Sequence, residues 1–426
     1  MSIIEKLKQI FKIRDLRNSI FYVLFLILIS RVAAHIPLPG VNVENLKEFF
    51  GSNQLLGLID IFSGGGIKKF SIVAMGVSPY ITASIILQLL TMIVPKLEEI
   101  SKEPNGHQRI NRWTRWLTIP MGVLQAYGMI TLLKQQSRYE IIGNLSPFDL
   151  AAMIIAMTAG TVFMMWLGEL ISEKKVGNGI SLLIFVGIIA NLPGLLGQAA
   201  LTLDATQIIN IAVFAAVALV TIIGVVIINE GQRNIPVSYA RHVRGNKMYG
   251  GVSTYLPLKV NMAGVIPIIF AISLIMFPPL IANFFLAAKT QILARAAEFV
   301  ISVFNNQLIY GILYFLLVFG FTYFYTAVIF HPQQIAENLQ KNGGFVPGIR
   351  PGKNTAEYLA SVSNRIMLAG ALFLALIAIL PLILKQLTGI ASLAIGGTSI
   401  LIVVSVVIET VKQIESQLSM RDYEGL

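Results

Sequence analysis

The sequence predicts an all-α, polytopic membrane protein of ten transmembrane helices. Three observations carry this: long segments that are apolar all round, a low charge content, and basic loops that alternate along the chain. About ten segments reach the roughly 20 apolar residues needed to cross a bilayer. A water-soluble helix shows one apolar stripe, whereas these have none of its polar face. Of the 426 residues, 55% are hydrophobic and 12% charged, about half the roughly 25% charged residues of a soluble chain. Mean hydropathy is +0.75.

The expected spans are 20–36, 72–94, 117–133, 149–171, 180–198, 208–228, 264–286, 308–330, 366–384 and 390–411. Prolines and glycines punctuate them: Pro37 and Pro39, Pro95, Pro147, Gly177 and Gly179, Pro193, Pro236 and Pro257, Pro332, Pro351, Gly389. Outside the spans, 23 Lys and Arg fall in the N-terminal segment and every second compartment after it, and 8 in the others. By the positive-inside rule this places both termini in the cytoplasm and requires an even number of spans. The first apolar run starts near Ile20 without a signal-peptide cleavage pattern and is expected to stay as a span.

Net charge is +11 and there is no cysteine. The positive charge follows from topology and can also serve an acidic or RNA-bearing partner. Disulfides, thiolate metal sites and cysteine nucleophiles are excluded.

Two basic loops are long, Glu230 to about Met262 and His331 to about Asn364, and both read as projecting hairpins. Loops of over 30 residues on a compact membrane protein usually carry function. Between spans one and two, the short apolar stretch Leu55–Phe62 precedes Gly64, Gly65 and Gly66. It fits either a re-entrant element, tolerated at membrane depth only when surrounded by protein or water, or an external loop with a surface helix.

Charge is nearly absent from mid-span; Arg31, Asp149, Glu169 and Glu409 sit near span ends. A secondary transporter usually keeps an ionisable group at mid-membrane, so a transporter or lipid flippase is the weaker alternative. An intramembrane enzyme is weaker still. His35, His107, His242 and His331 are scattered, and neither H-E-x-x-H nor G-x-S-x-G occurs. The spans instead hold uncharged polar residues: Ser84, Gln88 and Thr91 at i, i+4, i+7 on one face of the second, Asn261 at the start of the seventh, and Ser273 within it. Such a face can glue helices together or form a seam that opens.

The segments "IFSGGGIKKFSIVAMGVSPYITASIILQLL", "KVNMAGVIPIIFA", "GGFVPGIRPG" and "GGTSILIVVSVVIE", with "RVAAHIPLPG" and "KKVGNGISLLIFVGIIANLPG", resemble the SecY family, the central subunits of the bacterial protein-conducting channel. The resemblance covers essentially the whole chain in order. It implies two pseudo-symmetric halves of five spans, 1–198 and 199–426, around an hourglass pore, hinged near Pro193 to Asp204. It also implies a re-entrant plug helix near 57–68, including Leu58, Ile61, Phe62, Gly64, Gly65 and Gly66. The implied pore ring is Val77, Ile81, Ile184, Ile188, Ile269 and Ile402. Val77 is smaller than the isoleucine common at its position, and Ser78 stands where methionine is common. An aliphatic ring disfavours water and ions by dewetting.

Spans two and three facing seven and eight would form a lateral gate, to which Ser84, Gln88, Thr91, Asn261 and Ser273 are assigned. There a segment partitions to lipid at about −0.3 to −0.6 kcal/mol per central Leu or Ile, against about +2.5 to +3.5 for Lys or Arg. The implied setting is the bacterial cytoplasmic membrane, with SecE-like and SecG-like small membrane subunits, the SecA motor ATPase, the ribosome, signal sequences with their nascent chains, and membrane lipid as partners. No cofactor is implied, and no P-loop motif is present. Arg241, Arg244 and Arg350 match the docking surfaces for motor and ribosome, since the guanidinium fork suits phosphate and carboxylate. The other reading of these arginines is topology-setting charge.

Overall fold

The computed structural model describes residues 12–42, 44–46, 66–67, 69–103, 105–134, 141, 143, 146–201, 208–239, 241–244, 247–250, 253–286, 290–388 and 391–424. In order these form α1 (Arg14–Ala33), α2 (Ser78–Ile93), α3 (Pro95–Lys102), α4 (Gly106–Lys134), α5 (Pro147–Glu173), α6 (Gly179–Leu201), α7 (Ile208–Glu230), β1 (Gln232–Tyr239), β2 (Arg241–Arg244), β3 (Lys247–Gly250), β4 (Ser253–Lys259), α8 (Ile266–Phe285), α9 (Gln291–Asn305), α10 (Gln307–Ile329), α11 (Pro332–Lys341), β5 (Gly344–Phe345), α12 (Lys353–Thr388) and α13 (Ala391–Glu424).

Each of the ten expected spans overlaps one helix. Among the described residues, α1, α4, α5, α12 and the stretch Gln307–Lys341 are long and apolar enough to cross a membrane, and α2 with α3 makes a sixth across a 106° bend. Gly179–Asn191, Ala215–Glu230 and Ile266–Pro279 add shorter apolar runs. The α2–α3 bend has a local cause. Val94 precedes Pro95, which disfavours helical backbone, and Val94 is extended at φ −100°, ψ 109°. Exposed Leu308, Ile312 and Leu316 of α10 recur every four residues, one apolar helical face that the rest of the chain leaves uncovered.

The second span begins differently from the expected residue 72. Ser71 forms an isolated antiparallel bridge with Pro37, residues 72–77 are turns, and helix starts only at Ser78, with Pro79 in its first turn. The backbone here bonds to the end of the first span instead: Leu38 N–H donates to Phe70 O at 2.9 Å and Ile72 N–H to Ile36 O at 3.0 Å. Gly76, at φ 53°, makes the left-handed turn into α2. The segment is covered by protein, with Phe70, Val73 and Ala74 fully buried, the condition for non-helical backbone inside a membrane.

The α5–α6 corner shows why its motif reads G-N-G. Asn178 Oδ1 accepts from Ser181 N–H at 3.1 Å, and Ser172 Oγ accepts from Gly179 N–H at 2.9 Å. A Cβ on Gly179 would lie 1.8 Å from Gly168 O, whereas one on Gly320 of α10 would meet nothing within 4 Å. Gly179→Ala is therefore expected to lower stability by about 1–3 kcal/mol, the usual cost of overpacking. Gly320→Ala should be neutral or stabilising, because alanine is the better helix former by about 1 kcal/mol. Thermal unfolding of both variants in detergent checks the contrast.

The first long loop is a hairpin, as expected. β1 pairs antiparallel with β4 from Gln232↔Lys259 to Ser238↔Ser253, and β2 with β3 at the tip. The second is not a hairpin. It forms α11 and then β5, which adds to β1 at Ser238↔Phe345, giving the order β4-β1-β5. The ninth span's helix begins at Lys353, well before the apolar run, because its first turns are covered by this sheet. Ile235, Leu258, Val346 and Leu359 form their joint core. Pro236 is tolerated in β1 because β5 pairs only with residues 238–239.

Candidate functional site

Residues 12–201 and 208–424 meet mainly along two seams: α8 packs against α2 and α4, and α13 packs against α6. The six residues expected at the constriction lie on these seam helices. Val77 and Ile81 stand at the start of α2, Ile184 and Ile188 on α6, Ile269 on α8 and Ile402 on α13. All six are 4% exposed or less and belong to one contiguous apolar cluster. Each helix feeds it a short aliphatic ridge, such as Ile81 and Ile85, Ile184 and Ile188, or Ile402 and Val406, at the i, i+4 spacing of one helix face. The six residues therefore reach the cluster from helices within 12–201 and from helices within 208–424, through side chains that carry neither charge nor hydrogen-bonding atoms.

Of the plug residues, Leu58, Ile61, Phe62, Gly64 and Gly65 lie outside the described residues. Gly66 is buried. Its carbonyl accepts from Ser71 N–H at 2.9 Å, and a Cβ would sit 2.9 Å from Ser71 Oγ. Close approach explains glycine at this position.

The polar face of α2 is bonded within itself only in part. Gln88 Nε2 donates to Ser84 Oγ at 3.2 Å and Thr91 Oγ1 to Gln88 O at 2.7 Å. Gln88 Oε1 is buried without a partner. Ser273 is half-buried on α8. The structure does not bring Asn261 to this face. Asn261 Nδ2 donates to Asn229 Oδ1 at 2.7 Å, and Asn229 Nδ2 donates to Ser405 Oγ at 2.8 Å, tying the entry of α8 to α7 and α13.

Sequence reasoning missed this relay, and also the bond between α2 and α4 in which Gln125 Nε2 donates to buried Thr82 Oγ1 at 3.2 Å. Glutamine in an otherwise apolar span was the available signal. Between α4 and the C-terminal end of α5, Arg115 Nε donates to Glu169 Oε1 at 2.7 Å.

Arg241 and Arg244 lie in β2, opposite Gly250 and Lys247. Arg350 is exposed, between Gly348 at φ 82° and Gly352 at φ 95°. Its carbonyl accepts from Thr355 Oγ1 at 2.9 Å, so the turn that displays it is fixed to the start of α12. Because β5 adds to β1, both arginine-bearing loops belong to one platform.

The SecY family model matches residues 71–411. The chain belongs to the SecY family. The protein translocase subunit SecY of Mycobacterium bovis is 44% identical over 430 residues, covering 96% of this chain and 97% of that one. Among solved structures, one of SecY, concerned with a plug domain that stabilises the closed state of the translocation channel, matches with TM-score 0.63 and 18% identity over 92% of this chain and 90% of that one. Sec61 in the canine ribosome–channel complex from the endoplasmic reticulum matches with TM-score 0.59 and 16% identity over 93% and 91%. These two share its fold. The SecY family is one of translocase subunits, not of enzymes.

Proposed function

We propose that this chain is the channel-forming subunit of a protein translocase. It passes unfolded secretory polypeptides across the bacterial cytoplasmic membrane and releases membrane-protein spans sideways into lipid. One observation carries the reading: Val77, Ile81, Ile184, Ile188, Ile269 and Ile402, from four helices and both halves, share one uncharged buried cluster. Such a constriction holds back ions by dewetting. It also yields to a threading chain, because it offers no fixed hydrogen bonds to grip it.

On this reading the halves, 1–198 and 199–426, separate along the seam between α8 and α2/α4. The α2 face of Ser84, Gln88 and Thr91, with Ser273 opposite, forms the edge that parts. Gln88 Oε1, left without a donor in the closed seam, favours parting, since a buried unpaired acceptor costs about 1–3 kcal/mol. The segment near 57–68 plugs the external side. Both termini and the β1–β5 platform face the cytoplasm, where Arg241, Arg244 and Arg350 meet the SecA motor and the ribosome. Small SecE-like and SecG-like subunits complete the assembly.

Purification in mild detergent tests this directly. The chain should retain a small membrane subunit and bind non-translating ribosomes or the motor. Recovery of a solitary protein that binds neither would contradict the reading.

A further inference from the structure

Between α8 and α10 lies α9, whose 15 residues fall short of the roughly 20 that cross a bilayer. Its polar side chains are Gln291, Arg295, Glu298, Ser302 and Asn305, at i, i+4, i+7, i+11 and i+14. They make one stripe, roughly a quarter of the girth at about 100° per residue. All five are exposed. Every other residue of α9 is alanine, aliphatic or aromatic.

The chain itself covers little of that apolar surface. Ala297 is the one buried residue of the helix, which packs chiefly on α8 and less on α10. On the flank beside the polar stripe, Ile292 is 79% exposed and Phe299, two turns on, 69%. Ala296 between them is exposed too. Leu293, opposite the stripe, is 45% exposed.

The corner into α10 is built. Asn306 is extended at φ −71°, ψ 111°, and its Oδ1 accepts from Leu308 N–H at 3.0 Å, so α10 starts as a separate helix. The uncovered apolar surface resumes there, at Leu308, and runs on to Ile312 and Leu316. At their other ends, α8 leaves from β4 and α10 leads through α11 to β5, strands of one sheet. The spans α8 and α10 therefore separate α9 from the β platform.

Water around α9 would leave Ile292 and Phe299 bare. Mid-membrane would strand Arg295 and Glu298. A bilayer surface suits both sides of the helix. One arginine and one glutamate leave the stripe without net charge, so the attraction is to acyl chains and not to anionic headgroups. We propose that α9 is a lipid-docking surface lying along the outer leaflet, with Ile292 and Phe299 among the upper acyl methylenes and the polar stripe in water. It holds the outer ends of α8 and α10 at that depth. The choice of leaflet rests on the orientation proposed above, in which the β platform faces the cytoplasm.

The test uses the assembled complex. The chain has no cysteine, so Phe299→Cys, Arg295→Cys and Leu316→Cys each accept a single bimane label. Vesicles of phosphatidylethanolamine and phosphatidylglycerol carry bromine either near the headgroup end or near the tail end of the acyl chains. The label at Phe299 should lose most of its emission to shallow bromine and less to deep bromine. The label at Leu316, further along α10, should show the reverse order. The label at Arg295 should be quenched by aqueous iodide instead. Vesicles of phosphatidylcholine alone should give the same pattern. In intact cells, an impermeant maleimide should modify Arg295→Cys from outside.

A label at Phe299 that bromine leaves bright, while Leu316 is quenched, would overturn the lipid surface. Iodide quenching at Phe299 would then assign that flank to water, and its absence to a small membrane subunit or a second copy. Quenching at Phe299 only in the presence of phosphatidylglycerol would overturn docking through acyl chains. Modification of Arg295→Cys from the cytoplasmic side alone would overturn the orientation proposed above and the outer-leaflet placement with it.

Discussion

Replacing Ile81, Ile184 and Ile269 together with asparagine is expected to make the membrane leak ions and to let poorly hydrophobic signal segments through. The three residues come from α2, α6 and α8 and are 4%, 1% and 3% exposed within one cluster. Each asparagine would bring an amide into a wall without partners, at about 1–3 kcal/mol apiece in the closed state. Water entering the constriction would satisfy those amides, so the substitutions favour a wetted throat over a dry one. Planar-bilayer conductance of the idle channel should rise at least about tenfold, since about 1.4 kcal/mol already changes an equilibrium tenfold. The matching leucine triple, which keeps volume and polarity, should stay tight. Unchanged conductance in the asparagine triple would remove these residues from the constriction.

Arg350→Glu is expected to abolish most motor-driven export while leaving the chain itself inserted and folded. Arg350 is exposed, and its backbone, not its guanidinium, holds the turn through Thr355 Oγ1 at 2.9 Å. Stability should therefore change by no more than about 0.5 kcal/mol, as for other surface substitutions. Reversing a charge that meets a complementary surface places like charges together, which costs several kcal/mol. Export in vesicles with purified motor should fall by about tenfold or more, and thermal unfolding in detergent should match the parent chain. Arg350→Lys should retain part of the activity, because lysine keeps the charge and loses the fork. Export at the parent rate in Arg350→Glu would show that this turn does not contact the motor.

The spans were legible because their signal is local: an all-apolar stretch of about 20 residues needs no knowledge of its neighbours. That six aliphatic residues would share one buried cluster was legible only through motif resemblance, because Ile184 or Ile402 taken alone looks like any buried or lipid-facing isoleucine.

The misreadings have a common cause. Ser71–Val77 is as apolar as helix, yet backbone bonds tie this stretch to Ile36 and Leu38, far back along the chain. The second long loop reads as a projecting hairpin, but β1 offers a free edge that captures Gly344–Phe345. Asn261 sits at the head of the seventh span in sequence, and its partners, Asn229 and through it Ser405, are visible only once α7 and α13 are placed. In each case a nonlocal hydrogen bond decided what periodicity could not.

The most direct test is to arrest a precursor midway through the channel and photocross-link from single positions on the four helices that carry the six aliphatic residues. Reactive groups at Ile81, Ile184, Ile269 and Ile402 should all capture the same short stretch of the arrested chain. One at Ile312, on the lipid-facing side of α10, should capture lipid only. Capture of the precursor at Ile312 with none at those four positions would contradict a central aliphatic throat.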